Sequence, residues 1–189
     1  MRAFKTAEAE TIEPVNTKPE TTATASAYNI GNTGPAGGLI FYVNPNYEAD
    51  GWKYLEAATS DFTGDKNDYN IQWYNGNYVA TGVTATAIGT GMSNTQKIVD
   101  ILGDGYYAAK LCYSMTLNGY SDWFLPSKDE LNFMYENLYL KGISSFEPVY
   151  YWSSSGDDAK YAWGQNFNNG DQSSNFKFAG LRVRAVRAF

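Results

Sequence analysis

The sequence predicts an α+β domain in which short antiparallel strands carry about two to three packed helices. The composition is the first reason: 16 Tyr, 5 Trp and 18 Gly in 189 residues suit many short strands and tight turns better than a helical bundle. The second is the closing run Leu181-Arg182-Val183-Arg184-Ala185-Val186-Arg187, which alternates apolar and basic residues with the period of a strand. The third is a pair of capping-box patterns, Ser93-Asn94-Thr95-Gln96 and Ser127-Lys128-Asp129-Glu130, each followed by apolar residues at helical spacing.

Taken in order, residues 1–27 are poor in aromatics and rich in Thr, Glu, Ala and Pro. Such a stretch buries too little surface to offset its ordering entropy, so a flexible tether is expected; a helix at residues 4–12 that attaches the domain to a larger body is the alternative. Residues 28–189 form the domain proper. Gly34-Pro35-Ala36-Gly37-Gly38 feeds the apolar run Leu39-Ile40-Phe41-Tyr42-Val43. A phosphate-cradling loop needs a helix after its glycines, and for a P-loop a Lys; here a β-branched and aromatic run follows, so a tight turn into a buried strand is expected. Asn44-Pro45-Asn46 turns the chain, and residues 52–58 supply a second strand. Residues 61–68 (DFTGDKND) are acidic. Their oxygens could meet calcium, but the EF-hand spacing and its terminal Glu are missing, so a solvated loop is expected and no cofactor. Residues 71–74 read as a short strand and 76–91 as a connection.

A helix follows Ser93, with Ile98, Ile101 and Leu102 at helical spacing, and Gly103-Asp104-Gly105 ends it. Helical spacing resumes over residues 106–115 and encloses Cys112, read as a buried, inert thiol. A turn and a short aromatic strand end at Pro126, and a helix from Lys128 to about Tyr139 packs Leu131, Met134, Tyr135 and Leu138 on the sheet. Asp129 and Glu130 suit the first turn of that helix, so they are not a catalytic pair.

Composition also excludes functions. Net charge is −6, so no basic surface for nucleic acid is implied. Arg182, Arg184 and Arg187 are the one basic cluster, with all but the last on one face, and pairing with carboxylates explains them better than an anion site. A lone Cys precludes an intrachain disulfide framework, and the lack of His removes the commonest general base. No apolar run approaches a membrane span. The N-terminus lacks the apolar segment of a secretory signal, so the chain is exported without one, travels as part of a virion, or has lost a leader.

The last forty positions hold the functional signal. Stiff residues (Tyr150-Tyr151-Trp152, Trp163, Phe167) alternate with small polar turns: Gly156-Asp157-Asp158, Asn168-Asn169-Gly170-Asp171 and Ser173-Ser174-Asn175. Varied exposed positions on a rigid sheet are the layout of a binding surface. The YWSSS opening, the AW-x-QNF-x-x-G centre and the RVRAVRAF ending resemble the variable C-terminal region of diversity-generating retroelement proteins. Those proteins belong to the formylglycine-generating-enzyme-like branch of the C-type lectin fold. GPAGGLIFYV and the G-x-x-D-W-x-L-P pattern of Gly119 to Pro126 resemble the same branch, so the likeness covers most of the chain beyond residue 27.

The resemblance implies a C-type lectin-like fold and a variable region over about residues 150–189. In that family an error-prone reverse transcriptase miscopies template adenines, mostly in Asn codons. The outcome spans many residues but never Lys, Glu, Gln, Met or Trp. The implied ligand-binding positions are Asp157, Asp158, Ala159, Tyr161, Gly164, Asp171, Ser173, Ser174, Asn175, Phe176, Phe178, Ala179, Gly180 and Leu181, all reachable from an Asn codon. Trp152, Trp163, Gln165, Gln172 and Lys177 are then template-fixed frame, and Lys160 an unmutated codon. Loops favour Asp, Ser, Asn and Gly anyway, which explains the polar half of the set but explains Phe176, Phe178 and Leu181 less well.

The expected function is non-enzymatic recognition of a cell-surface protein or glycan, displayed outside the cell on a phage or a bacterial surface. Neither nucleic acid nor membrane insertion is expected, and a free-standing domain and a trimeric tip both fit. A fixed-ligand adhesin is the alternative. Formylglycine-generating enzymes use paired cysteines and copper, and Cys112 alone does not supply that pair. Glu147-Pro148-Val149 lies where sugar-binding relatives carry Glu-Pro-Asn; Val149 replaces the Asn, and no Trp-Asn-Asp partner appears, which speaks against calcium-dependent sugar binding.

Overall fold

A computed structural model describes residues 27–63 and 69–189. The expected tether, apart from Ala27, and the alternative helix at residues 4–12 lie outside the described residues, as does most of the acidic stretch after Asp61. The elements are β1 (Leu39–Val43), α1 (Tyr47–Asp50), β2 (Tyr54–Ala57), α2 (Gly91–Leu102), α3 (Ala108–Tyr113), α4 (Lys128–Met134) with a π-helical continuation (Tyr135–Tyr139), β3 (Tyr150–Gly156), β4 (Tyr161–Asn166), β5 (Gln172–Phe176) and β6 (Val186–Ala188). They build two antiparallel sheets, ordered β1-β2-β6 and β3-β4-β5. This is the α+β arrangement of a C-type lectin-like fold.

The glycine-rich loop is the expected turn into a buried strand. Its amides do meet an anion, but an internal one: Ala36 and Gly38 donate to the buried carboxylate of Glu56 at 3.2 and 3.0 Å. The turn at residues 44–46 leads into α1, a single helical turn the sequence reading passed over.

The second sheet stands between two cores. Trp152 and Ala162 pack with Trp73, Trp123, Ile98 and Val183 on one side. Tyr151 packs with Phe167, Leu131, Met134 and Val186 on the other. The serines of the YWSSS motif explain how β3 bridges these layers. The β3–β4 ladder slips between Trp152 and Gly156, and three buried hydroxyls bond neighbouring main-chain carbonyls there. Ser153 donates to Trp163 C=O at 2.7 Å, Ser154 to Pro126 C=O at 3.2 Å and Ser155 to Ala85 C=O at 2.7 Å. Buried main-chain groups are costly when unpaired, so small hydroxyl residues suit this bulge.

Several expectations are corrected. Residues 71–74 are not a strand: Ile71 makes one isolated bridge to Leu181, and the segment is fixed instead by two indoles. Trp152 Nε1 donates to Ile71 C=O at 2.7 Å, and Trp73 Nε1 to Ser153 C=O at 2.8 Å. The capping box at Ser93 does not form. α2 begins at Gly91 after Thr90, and Ser93 Oγ donates back to Thr90 C=O at 3.0 Å. The box at Ser127 does form, with Ser127 N–H donating to Glu130 Oε2 at 2.7 Å and Glu130 N–H to Ser127 Oγ at 3.2 Å. The closing run is not one strand with one buried face. It breaks into bridges at Leu181, Arg182 and Val186 plus the short β6, and residues 183–187 are buried on both faces.

Ion pairs make that double burial possible. Asp61 receives Arg184 Nε at 2.6 Å, Arg182 NH1 at 3.0 Å and the Tyr151 hydroxyl at 2.8 Å. Arg187 pairs with Glu56 at 2.7 Å and with both oxygens of Asp122 at 2.8 Å. The arginines are thus structural, paired with carboxylates as expected.

Candidate functional site

β4 and β5 form a hairpin closed by residues 167–171, with Gly170 in the left-handed region at φ 81°. The register fixes what shares a face. Tyr161, Trp163 and Gln165 lie opposite Phe176, Ser174 and Gln172; Ala162 and Gly164 lie opposite Asn175 and Ser173. The fourteen positions therefore fall on both faces of one hairpin and on its adjoining loops.

On the first face, aromatic rings form a ridge. Tyr161 and Phe176 stand 4.3 Å apart between centroids, and Phe176 and Phe178 stack at 5.0 Å. Phe176 and Phe178 are 43% and 48% exposed, so this is not the strand core. The loop tyrosines Tyr74 and Tyr78 adjoin the ridge. The Tyr78 phenol is raised above its ordinary pKa by desolvation first, then by neighbouring Tyr74 and Tyr161. Ser174 Oγ donates to Asp157 at 2.7 Å. Lys128 Nζ sits 3.5 Å over the Trp163 ring.

On the second face, Asn175, Gly180 and Leu181 border an open groove of about 550 Å³, completed by Tyr69, Asn70, Val149, Tyr150 and Arg182. Ser173 Oγ donates to the Tyr150 hydroxyl at 3.1 Å, and that hydroxyl donates to Asp171 at 3.3 Å. Tyr69, Asn70 and Arg182 were not among the expected site residues. Tyr69 and Asn70 lie far from β5 in sequence and arrive through the Ile71–Leu181 bridge, which no local pattern announces, while Arg182 follows Leu181 in the chain.

Asp157, Asp158, Ala159, Asp171 and Gly180 are exposed, and Ser173, Ser174, Asn175, Tyr161 and Ala179 are half-buried. Asp158 caps its own turn, accepting from the N–H groups of Lys160 and Tyr161 at 2.6 and 2.7 Å. Ala179 packs on the first core. Gly164 and Leu181 correct the expectation. Leu181 is buried in that core beneath the groove. Gly164 is buried too, and a Cβ there would stand 2.9 Å from Tyr151 C=O and 3.1 Å from Leu181, so it presents no side chain.

The frame residues behave differently. Gln165 is buried and donates to Asn132 at 2.8 Å; Gln172 donates to Lys128 C=O at 2.9 Å. Lys177 is buried with its ammonium 4.3 Å from the Trp73 ring, donating to Asp158 C=O at 2.7 Å. Burial holds its pKa below that of an ordinary lysine, against the pull of Asp158. The loop carrying Asp157 to Lys160 is therefore pinned from beneath. Among the described residues no three His, Cys, Asp or Glu side chains gather as a metal site, and no helix is long and apolar enough to cross a membrane.

A two-core lectin-like scaffold that presents small, polar and aromatic side chains from one hairpin defines a binding domain. The family model for the Lcl C-terminal domain matches residues 65–187, and the chain belongs to that family. It is accordingly a C-type-lectin-fold variable protein of the diversity-generating retroelement kind, a class of ligand-binding domains and not a known enzyme family. Among curated proteins none matches the chain.

Proposed function

We propose that the β4–β5 hairpin and its loops are a hypervariable recognition surface, rewritten by retroelement mutagenesis, that binds a cell-surface protein or glycan without catalysis. One observation carries this reading: seven of the fourteen positions are exposed and only Gly164 and Leu181 are buried, while three of the residues that an Asn codon cannot yield are locked in the frame. Trp152, Gln165 and Lys177, which an Asn codon cannot yield, are buried and hold frame contacts. Asp157, Asp158, Ala159, Asp171, Phe176 and Phe178, which it can yield, are exposed. Exposed changes cost little stability, whereas emptying a core position costs roughly 2–5 kcal/mol, so such a surface can vary without unfolding its scaffold. Stacked aromatics supply rigid contact area and the Asp, Ser and Asn side chains adaptable hydrogen bonds, the division of labour found in antibody loops.

Display on a phage or a bacterial surface is the setting we propose. Absence of catalysis is supported by Cys112: it is fully buried, and desolvation pushes its thiol pKa well up, the opposite of an activated thiolate. Sequencing the gene in sister isolates tests the reading. Differences concentrated at the exposed hairpin positions are expected; differences spread evenly along the chain would leave a fixed-ligand adhesin instead.

A further inference from the structure

The outer edge of β5 differs from every other sheet edge among the described residues. On β1, Gly31 N–H donates to Ile40 C=O at 2.8 Å and Asn137 Nδ2 to Phe41 C=O at 3.0 Å. On β6, Phe124 and Val186 exchange both main-chain bonds at 2.8 and 2.9 Å. On β3, the amides of Trp152, Ser154 and Gly156 donate to Arg182, Pro126 and Val83 at 2.9, 2.7 and 2.7 Å.

β5 has β4 on one side and, among the described residues, no strand on the other. The phase of its ladder follows from two bonds: Asn166 N–H to Asp171 C=O and Lys177 N–H to Lys160 C=O, both 2.8 Å. In an antiparallel pair the bonded positions alternate, so residues 171, 173, 175 and 177 bond toward β4, and Gln172, Ser174 and Phe176 aim N–H and C=O outward. Phe176 C=O is closed by Ala179 N–H at 2.7 Å. Natural edges are commonly blunted by Lys, Pro or inward charges, yet Gln172-Ser173-Ser174-Asn175-Phe176 carries none.

We infer that β5 is a strand-addition site, where an extended segment of a protein ligand pairs with the main chain of Gln172–Phe176; this rests on the hairpin being the recognition surface. A strand added there sends its side chains alternately to the two faces. One set enters the groove of about 550 Å³ beside Asn175, Tyr150 and Tyr69. The other meets Ser174 and the Phe176 ridge. Main-chain bonds are indifferent to side-chain identity, so affinity has a constant part while substitution at positions 173–176 resets specificity. A glycan lacks the alternating donor and acceptor register that this edge offers. The ridge also suits it poorly, because the Phe176 ring is already engaged by Tyr161 and Phe178 at 4.3 and 5.0 Å between centroids.

The test uses the full chain and a random peptide library, with selected peptides resynthesised. Binding is expected to slow amide exchange at Gln172, Ser174 and Phe176 by at least about tenfold. N-methylating alternate peptide residues in one phase is expected to weaken binding at least about tenfold, and in the other phase to leave it nearly unchanged. Ser174→Pro removes an outward N–H together with the Ser174 Oγ bond to Asp157, which Ser174→Ala removes alone; the proline, a change an edge strand tolerates, is expected to abolish peptide binding where the alanine does not. Equal loss in both methylation phases, unprotected β5 amides, or selection of glycans with no peptide would overturn strand addition. So would protection that arises from a concentration-dependent dimer, which would make the occupant a second copy. If exchanging Phe176, Phe178 and Asp157 changes which ligand binds while the main-chain tests fail, the recognition surface stands and strand addition falls. If neither has an effect, both fall.

Discussion

Gly164 and Phe178 are both reachable from an Asn codon, and the structure separates them. Gly164→Ala would force a methyl against Tyr151 C=O, and backbone yields poorly, so a loss of about 1–3 kcal/mol is expected. Phe178→Ser removes a half-exposed ring and should change stability by no more than about 0.5 kcal/mol. Urea-denaturation midpoints of the two variants check the contrast. Codon reachability can be read in the sequence, but the neighbour of a Cα cannot. That is why Gly164 and Leu181 entered the expected site and why Tyr69 and Asn70 did not. Phe176 and Phe178 were legible as oddities, since a loop has no composition-level reason to carry them.

Among the elements, the two capping boxes show what local pattern can decide. The Ser127 box forms, with the Ser127 hydroxyl also donating to Ala87 C=O at 3.0 Å, while the Ser93 box gives way to packing around Gly91. A Cβ at Gly91 would collide with Glu130, Phe124 and Ser127, so α2 starts where it can fit against α4. Glu130 joins the two. It accepts from Ser127 N–H at 2.7 Å and Gly89 N–H at 2.8 Å, and burial still pushes its pKa up to about 7, from an ordinary 4.5. The folded state thus keeps a proton that the unfolded chain has released. Stability is expected to be highest below about pH 4.5 for this group and to fall as pH rises to about 7, by up to about 3 kcal/mol. Glu130→Gln should flatten that slope; urea titrations at several pH values measure it. The closing alternation was legible as a strand signal, yet residues 183–185 leave the ladder: the C=O groups of Val183 and Ala185 accept from Phe62 and Ala58 N–H at 2.9 Å each, and Arg184 bonds sideways to Asp61.

Over the whole molecule, one buried carboxylate ties the closing segment to β3. Asp61 follows β2, and its oxygens take Arg182, Arg184 and the β3 residue Tyr151. Asp61→Ala leaves two guanidinium groups and a phenol without that partner, and a loss of about 3–5 kcal/mol with one cooperative transition is expected in thermal unfolding. By contrast, exchanging Asp157, Ala159, Asp171 and Phe178 together should lower stability by no more than about 2 kcal/mol, their separate small effects adding. The fold was legible at this scale because its signatures lie in GPAGG, DWFLP and RVRAV, each carrying a buried contact. Asp61 was not, since an Asp in an acidic stretch looks solvated until its distant arginines arrive.

The central claim is that the exposed hairpin is rewritten from a template. The most direct measurement is the DNA sequence flanking the gene. A near-copy of the segment encoding residues 150–189 is expected beside a reverse transcriptase gene. Its mismatches should be adenines in the template, falling on the codons of the exposed hairpin positions and sparing Trp152, Gln165 and Lys177. A flanking region without such a copy, or a copy whose mismatches fall on those buried frame codons, would contradict it.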